Sequence, residues 1–104
     1  MLLLDRPTQY SVAGAIRVLE YHGPHLGRPL VDRVRGSQIN NLKELRPPSK
    51  GLQAIRILFV FDPRRTAVLL VGGDKRGTWN RWYPEAIAQA ENHYEKYLIE
   101  KGMM

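Results

Sequence analysis

Basic side chains that could act on phosphate are concentrated in the middle of this chain. From Arg28 to Arg81 there are 12 basic and 4 acidic residues, a local net charge of +8. From Trp82 onward there are 2 lysines and 4 glutamates, a local net charge of −2. Because arginine and lysine bind phosphate and stabilise charge that develops on it, this distribution favours a site that acts on a polyanion. A basic surface that serves only solubility is the alternative left open by charge alone.

The candidate catalytic cations lie on or beside three successive predicted strands. They are Lys43 and Arg46 with Glu44 on the first strand, Arg56 on the second, and Lys75, Arg76 and Arg81 after the third. In an antiparallel meander these side chains can converge on one open face of the sheet. There they would bind a phosphate and stabilise the charge of a phosphorane. Ordinary solvent-exposed strand cations are the alternative interpretation.

Three aromatic residues accompany the last of these cations. Trp79, Trp82 and Tyr83 lie close in sequence to Lys75 and Arg81. Flat rings interleaved with cations are typical of single-stranded RNA recognition, in which rings stack on bases and cations hold phosphates. The Tyr83 hydroxyl could also transfer a proton. For Trp82 we favour the alternative, that the ring packs between a helix and the sheet.

Composition excludes several other functional classes. The chain has no cysteine, so disulfides, thiolate zinc sites and cysteine nucleophiles are excluded. Its 3 histidines lack partners at ligand spacing, and we therefore predict no metal and no cofactor. Gly72 to Gly77 has the spacing of a P-loop, but Thr78-Trp79 follow where a phosphate-binding P-loop requires a lysine and a hydroxyl residue. The apolar run from Met1 to Leu4 is too short for a signal peptide or a membrane span, so a cytoplasmic protein without membrane contact is expected.

Hydrophobic periodicity predicts a single α+β domain over residues 1–104. The predicted elements are a helix over 9–22, strands over 30–35, 42–46, 53–61 and 66–71, a turn at 62–65, a loop at 72–77, and a helix from Pro84 to Glu100 that stops at Gly102. The continuous apolar run of 66–71 indicates a central strand covered on both faces. We expect an antiparallel meander of three to four strands, with the N-terminal and C-terminal helices packed on one face.

Several ordered stretches together resemble the RelE/ParE toxin superfamily, in its HigB-like, phage-related branch. They are His22-Gly23-Pro24, Leu26-Gly27-Arg28-Pro29-Leu30, Leu42-Lys43-Glu44-Leu45-Arg46-Pro47, Ile55-Arg56-Ile57-Leu58-Phe59 and Gly73-Asp74-Lys75 leading to Arg81-Trp82-Tyr83. The spacing agrees from Leu26 to Tyr97, which is about three quarters of the chain. Each stretch is weak alone, whereas the ordered set is fairly specific.

The resemblance implies a type II toxin, with a curved antiparallel sheet backed by helices. It implies an endoribonuclease that cleaves messenger RNA, usually on the ribosome, and that is neutralised by a helix-turn-helix, HigA-like antitoxin. The implied chemistry needs no metal: a 2′-hydroxyl attacks the adjacent phosphate and leaves a cyclic phosphate. A toxin–antitoxin heterotetramer is compatible with the resemblance, which leaves the oligomeric state open.

Residue by residue, the resemblance assigns roles to the basic positions. Lys43, Arg46, Arg56, Lys75 and Arg81 would bind and polarise the phosphate, and Tyr83 or a lysine would transfer the proton. Arg76, Trp79, Trp82 and Lys50 are the expected RNA-binding residues.

The lead-in before the Leu26 stretch is shorter than in other members of the superfamily. Met1 to Thr8 shows little strand pattern, so we expect the usual first strand, or part of the first helix, to be missing. An open sheet edge would then be available to an antitoxin or a second copy. Two alternatives remain at this point. One is a ParE-like protein that binds a protein target such as gyrase, and the other is an inactive remnant that still binds its antitoxin.

Overall fold

The computed structural model describes residues 4–49, 54–76 and 79–104, with only the backbone of residues 79 and 80. Its elements are α1 (Arg6–His22), a short 3₁₀ turn (Gly23–His25), β1 (Val31–Arg33), β2 (Lys43–Leu45), β3 (Ile55–Phe61), β4 (Ala67–Asp74) and α2 (Trp79–Glu100). The strands form one antiparallel sheet in the order β1-β2-β3-β4. This arrangement confirms the predicted α+β meander with a helix at each end.

Helix α1 begins three residues before its predicted start, because a cap lies upstream of the apolar pattern. The Asp5 carboxylate accepts a hydrogen bond from the Thr8 N–H at 2.8 Å, and Pro7 occupies the first turn. The helix buries Ala15 and Leu19. It ends at Gly23, whose φ of 62° lies in the left-handed region that favours glycine.

The two helices cover opposite faces of the sheet, so the prediction that both pack on one face is wrong. Alternate residues of β3 explain the difference, because both sides of this strand are apolar. Ile57 and Phe59 pack with Leu19 of α1. Leu58 and Val60 pack on the other face with Ala86, Ala90 and their neighbours in α2. Each helix therefore has its own apolar layer.

Strand β4 is an edge strand, so its predicted central position is also wrong. The central position belongs to β3, which pairs with both β2 and β4. Leu69 in β4 is 45% exposed despite lying in the apolar run. The strand also extends through the predicted loop as far as Asp74, because Gly73 pairs with Arg56 and Asp74 with Ile55.

Helix α2 begins at Trp79, five residues before the predicted start at Pro84. A proline this near the beginning of a helix removes one backbone hydrogen bond without ending the helix. The predicted stop is confirmed: Gly102 has a φ of 70°, and the Met103 N–H donates to the Leu98 carbonyl at 2.8 Å. No helix within the described residues has the length and apolarity needed to cross a membrane.

Candidate active site

Strand register brings five chemically active side chains to one end of the α2 face of the sheet. Glu44 and Arg46 lie two residues apart in and just after β2, so they share a face. Arg56 pairs with Gly73 of β4, and Lys75 extends that ladder by donating its N–H to the Ala54 carbonyl at 3.1 Å. Tyr83 joins them from the second turn of α2. We call Glu44, Arg46, Arg56, Lys75 and Tyr83 the site cluster.

Glu44 lies at the centre of the site cluster. Its side chain is buried, with 2% of the residue exposed, and Oε1 accepts a hydrogen bond from Arg46 Nε at 2.6 Å. Arg46 also places Nη2 3.4 Å from Oδ2 of Asp32 in the neighbouring strand. The hydrogen bond with Glu44 is the main cause that raises the pKa of Arg46. The guanidinium is thus fixed in place and positively charged.

Two further cations lie behind this pair. Lys75 is 5% exposed, and its Nζ lies 5.7 Å from the centre of the Tyr83 ring. Burial, followed by the nearby Arg56 guanidinium, lowers the pKa of Lys75. Arg56 donates from Nη1 to the Ile55 carbonyl at 2.8 Å, and its buried Nε has no hydrogen-bond partner among the described residues. Positive charge is therefore held in a poorly solvated place, where it acts strongly on a bound anion.

Tyr83 supplies a phenol beside the Glu44 carboxylate. Burial first, and then the hydrogen-bonding proximity of Glu44, raise the pKa of Tyr83 to about 12. The phenol is therefore protonated at neutral pH and suits proton donation. The second carboxylate oxygen of Glu44, Oε2, is buried and has no hydrogen bond of good geometry within the described part of the chain. The Glu44 carboxylate thus lies between the Arg46 guanidinium and the Tyr83 phenol.

The site cluster opens on a pocket of about 260 Å³. Glu44, Arg46 and Tyr83 line it, together with Arg35 and three further residues of β1 and α2 or next to them. A larger groove of about 590 Å³ lies elsewhere, between residues 38–40 and the C-terminal half of α2, and carries Glu91 and Glu95. Its acidic side chains would repel a phosphate, so size alone does not identify the site. Over the described ranges, no three His, Asp or Glu side chains lie close enough together to hold a metal ion.

The structure brings together four of the six predicted catalytic residues: Arg46, Arg56, Lys75 and Tyr83. Lys43 does not join them, because consecutive strand residues point to opposite faces. Its Nζ lies 5.6 Å from the centre of the Phe61 ring, on the side of the sheet that α1 covers. Arg81 is exposed in the first turn of α2.

The predicted RNA-binding residues have different surroundings. Arg76 is exposed and forms an ion pair with Asp74 at 2.9 Å. Trp82 is half-buried against β4, where its ring lies so close to Gly73 that a Cβ there would collide with it. The packing interpretation of Trp82 is therefore confirmed. Lys50 and the side chain of Trp79 lie outside the described residues.

Sequence reasoning missed the central place of Glu44 and the contribution of two residues near it. Asp32 positions Arg46, and Arg35 lines the pocket. The spacing of Glu44 and Arg46, two residues apart beside a strand, was the signal that could have placed both on one face. The contacts of Asp32 and Arg35 depend on strand pairing, which no single stretch of sequence shows.

Comparison with known proteins shows the family to which this chain is similar. The family model described as "Phage derived protein Gp49-like (DUF891)" matches residues 1–95. Two similar proteins are HigB2 and HigB3 of Mycobacterium tuberculosis (strain ATCC 25618 / H37Rv), both of which carry toxin names. HigB2 is 52% identical over 97 residues, which cover 93% of this chain and 48% of HigB2. HigB3 is 53% identical over 98 residues, which cover 94% of this chain and 83% of HigB3.

The chain therefore spans about half the length of HigB2 and most of HigB3. No solved structure was found to match it. The family match and the two relatives confirm the resemblance predicted from the ordered sequence stretches. This chain belongs to the Gp49-like, phage-derived family of HigB-like toxins.

Proposed function

We propose that this protein is the toxin of a type II toxin–antitoxin system and cleaves messenger RNA without a metal ion. The observation that carries the proposal is the site cluster, in which Arg46, the buried Glu44 carboxylate and the protonated Tyr83 phenol line one small pocket and two further cations lie behind them. The toxin-named relatives support the physiological role. The relevant target would be a phosphodiester with a neighbouring 2′-hydroxyl.

The proposed reaction is an internal transfer of the phosphoryl group. The 2′-hydroxyl loses its proton, its oxygen bonds to the adjacent phosphorus, and the bond from phosphorus to the 5′-oxygen breaks. The products are a 2′,3′-cyclic phosphate and a 5′-hydroxyl. Arg46 at the pocket, with Arg56 and Lys75 behind it, would stabilise the negative charge that grows on the phosphorane oxygens.

Two groups at the pocket suit the two proton transfers. Glu44 would accept the proton of the 2′-hydroxyl, because its carboxylate lines the pocket beside Arg46 and Tyr83. Tyr83 would donate to the departing 5′-oxygen, because its pKa of about 12 keeps the phenol protonated. Arg46 also holds the Glu44 carboxylate in a fixed orientation through their 2.6 Å hydrogen bond. The two groups thus divide the roles of acid and base.

The partners in this proposal follow from the family. A helix-turn-helix antitoxin would neutralise the toxin, within a heterotetramer as one arrangement, and the messenger would be cut on the ribosome in the cytoplasm. Contacts with several phosphates would make RNA binding weaken with salt. A salt-independent interaction would instead indicate a protein target.

Induced expression in a bacterial host tests the proposal, with new messenger-RNA 5′ ends mapped as growth is followed. We expect growth arrest with discrete new ends inside reading frames. The Arg56→Ala/Lys75→Ala double variant should give neither while still binding its antitoxin. Arrest with intact messages would overturn the RNA-cleaving role in favour of a protein target such as gyrase. Absence of arrest in the parent chain would favour an inactive antitoxin-binding remnant.

A further inference from the structure

The outer surface of α1 carries two strongly exposed tyrosines that the proposed function does not use. Tyr10 is 71% exposed and Tyr21 is 85% exposed. Tyr21 has an edge contact with the neighbouring His22 ring, at 5.0 Å between centroids. Two large rings on the same exposed helix face are a common property of surfaces that become covered.

Two arginines share that face with the tyrosines. At 100° per residue, Arg6, Tyr10, Arg17 and Tyr21 fall within about 60° of one another around the helix. This face lies opposite the side that buries Ala15 and Leu19 against the sheet. Neither arginine forms an ion pair within the described residues. The outer face of α1 is therefore a stripe of alternating cation and ring that is exposed among the described residues.

The centre of this stripe consists of two small, exposed residues. Ala13 and Gly14 are both exposed, and a Cβ added at Gly14 would meet nothing within 4 Å. Glycine in the middle of a helix is less favourable than alanine, so its presence here needs a reason outside the monomer. Small residues at the middle of a helix face allow a second backbone to approach closely.

The stripe is symmetric about its own centre. Tyr10 and Arg17 each lie three residues from the Ala13–Gly14 pair, and Arg6 and Tyr21 each lie four residues further out. If a second copy of α1 packs antiparallel across the Ala13–Gly14 pair, every arginine meets a tyrosine. Arg6 faces Tyr21 of the second copy, and Tyr10 faces Arg17 of the second copy. The two-fold axis repeats each pair, so both occur twice. Such contacts are the cation–π pairs that guanidinium groups form with phenol rings.

We propose that the chain forms a symmetric homodimer through antiparallel packing of α1 about Ala13 and Gly14. An isologous two-fold contact needs a self-complementary patch, and this stripe meets that requirement because each of its cations would face a ring. Glu20, at the rim, would lie near Arg6 of the second copy and add an opposite charge. The dimer would leave the site cluster open, because α1 and the cluster lie on opposite faces of the sheet.

A single helix pair buries less surface than a standard stable interface, so we expect a dissociation constant in the micromolar range. Sedimentation velocity of the full chain across that range should show a reversible monomer–dimer equilibrium. Gly14→Leu should raise the dissociation constant at least tenfold, because the monomer has room for this side chain whereas the helix crossing does not. The control Gln89→Leu adds the same side chain to an exposed position of α2 and should leave the equilibrium unchanged.

A charge-and-ring exchange separates this proposal from RNA binding by the same stripe. Tyr10→Arg alone should weaken the dimer, because two guanidinium groups would then face each other. Tyr10→Arg combined with Arg17→Tyr should restore it, because the exchanged residues still pair across the two-fold axis. If the stripe binds RNA, Tyr10→Arg should strengthen retention on heparin or a single-stranded RNA column, and no variant should change sedimentation. That result would overturn the proposal.

Cysteine crosslinking tests the antiparallel direction, and the chain has no natural cysteine to interfere. Under mild oxidation, Ala13→Cys should give a covalent dimer, because the two copies lie about one residue rise, ~1.5 Å, apart along the axis. Arg6→Cys should give none, because its two copies lie about 22 Å apart along the axis. Crosslinking at both positions would indicate parallel packing, and crosslinking at neither would exclude the α1 contact. Either pattern would contradict the proposed dimer.

Discussion

The two faces of the sheet use the same strands for different purposes. Below α1, an apolar layer is formed by Leu45, Ile57 and Phe59 packed against Ala15 and Leu19. Below α2, an apolar layer around Leu58, Val60 and Leu70 fills one end. At the other end of that face, the site cluster replaces apolar residues with buried charge.

This difference shows how a small fold builds a charged site without losing its core. Charged groups are costly to bury unless they are paired and hydrogen-bonded. Here the α1 face supplies much of the apolar packing, and the residues of the site cluster lie at the end of the other face near the start of α2. Variants on the two faces should therefore separate effects on stability from effects on activity.

The first prediction compares adjacent residues of β2 that point to opposite faces. Glu44→Gln should reduce RNA cleavage about 100-fold or more, because it removes the proposed proton acceptor. Lys43→Gln, one residue away on the α1 face, should leave cleavage within about twofold of the parent, since loss of one half-buried charge outside the site cluster affects only general attraction to RNA. Rates of message cleavage after induction, at matched protein levels, measure the difference. Equal losses in the two variants would refute the division between faces.

The second prediction concerns the apolar face. Phe59 is fully buried, and Phe59→Ala should lower the free energy of unfolding by about 3–5 kcal/mol. Leu69→Ala, at a half-exposed position of β4, serves as the matched control. It should change the free energy of unfolding by about 0.5 kcal/mol. Urea unfolding monitored by circular dichroism gives both values. A small effect at Phe59 would show that the α1 face is not the main apolar core.

The third prediction tests the close packing of Trp82 on β4. Gly73→Ala places a Cβ against the Trp82 ring and should destabilise the fold by about 1–3 kcal/mol. Gly72→Ala is the control, because its Cβ would meet Ile57 Cγ1 at an ordinary 3.8 Å. Thermal unfolding of the two variants, with tryptophan fluorescence as a second signal, distinguishes them. Similar behaviour of both variants would place Trp82 away from Gly73.

The fourth prediction uses the lowered pKa of Lys75. Folding reduces the affinity of this amine for its proton, so the charged form opposes folding at neutral pH. That penalty is present below the folded pKa and is relieved as pH rises toward the ordinary value of 10.5. The free energy of unfolding of the parent should therefore increase relative to Lys75→Met between neutral pH and pH 10.5. Parallel stability curves for the two proteins would contradict the burial of a charged amine.

The smallest effect is expected at the end of the sheet remote from the site cluster. The Tyr97 hydroxyl donates to Asp62 Oδ2 at 2.7 Å, and the pKa of Asp62 is lowered mainly by the Thr66 N–H and then by Tyr97. The stability that Asp62 contributes is present above its ordinary pKa of 3.8 and is lost as pH falls through the lower folded value. Tyr97→Phe should cause a slight destabilisation that disappears in acid, with normal RNA cleavage. A loss of cleavage would link this region to the site.

Local patterns predicted most of the elements, because period-two and helical periodicities persist in short stretches. The local patterns gave wrong predictions where the result depends on contacts between elements in the folded protein. The apolar run of β4 indicated a central strand, whereas β3 occupies that position. Pro84 indicated a helix start, whereas α2 already begins at Trp79.

Part of the site could likewise be predicted from local sequence, whereas the rest depended on the tertiary fold. Charge density and family resemblance identified Arg46, Arg56, Lys75 and Tyr83, which the fold brings together. Strand alternation separated Lys43 from them and placed Glu44 at their centre. Neighbouring strand residues point to opposite faces of the sheet. A shift of one residue in strand register would therefore exchange the faces of Lys43 and Glu44.

The central claim is that the site cluster directs a 2′-hydroxyl against its neighbouring phosphate. The most direct test is the end chemistry of a defined message cleaved on ribosomes, with and without a 2′-O-methyl group at the cut nucleotide. The account predicts a 2′,3′-cyclic phosphate and a 5′-hydroxyl, and no cleavage at the methylated position. Cleavage of the methylated message, or a 5′-phosphate at the new end, would show that water is the nucleophile and would contradict the account.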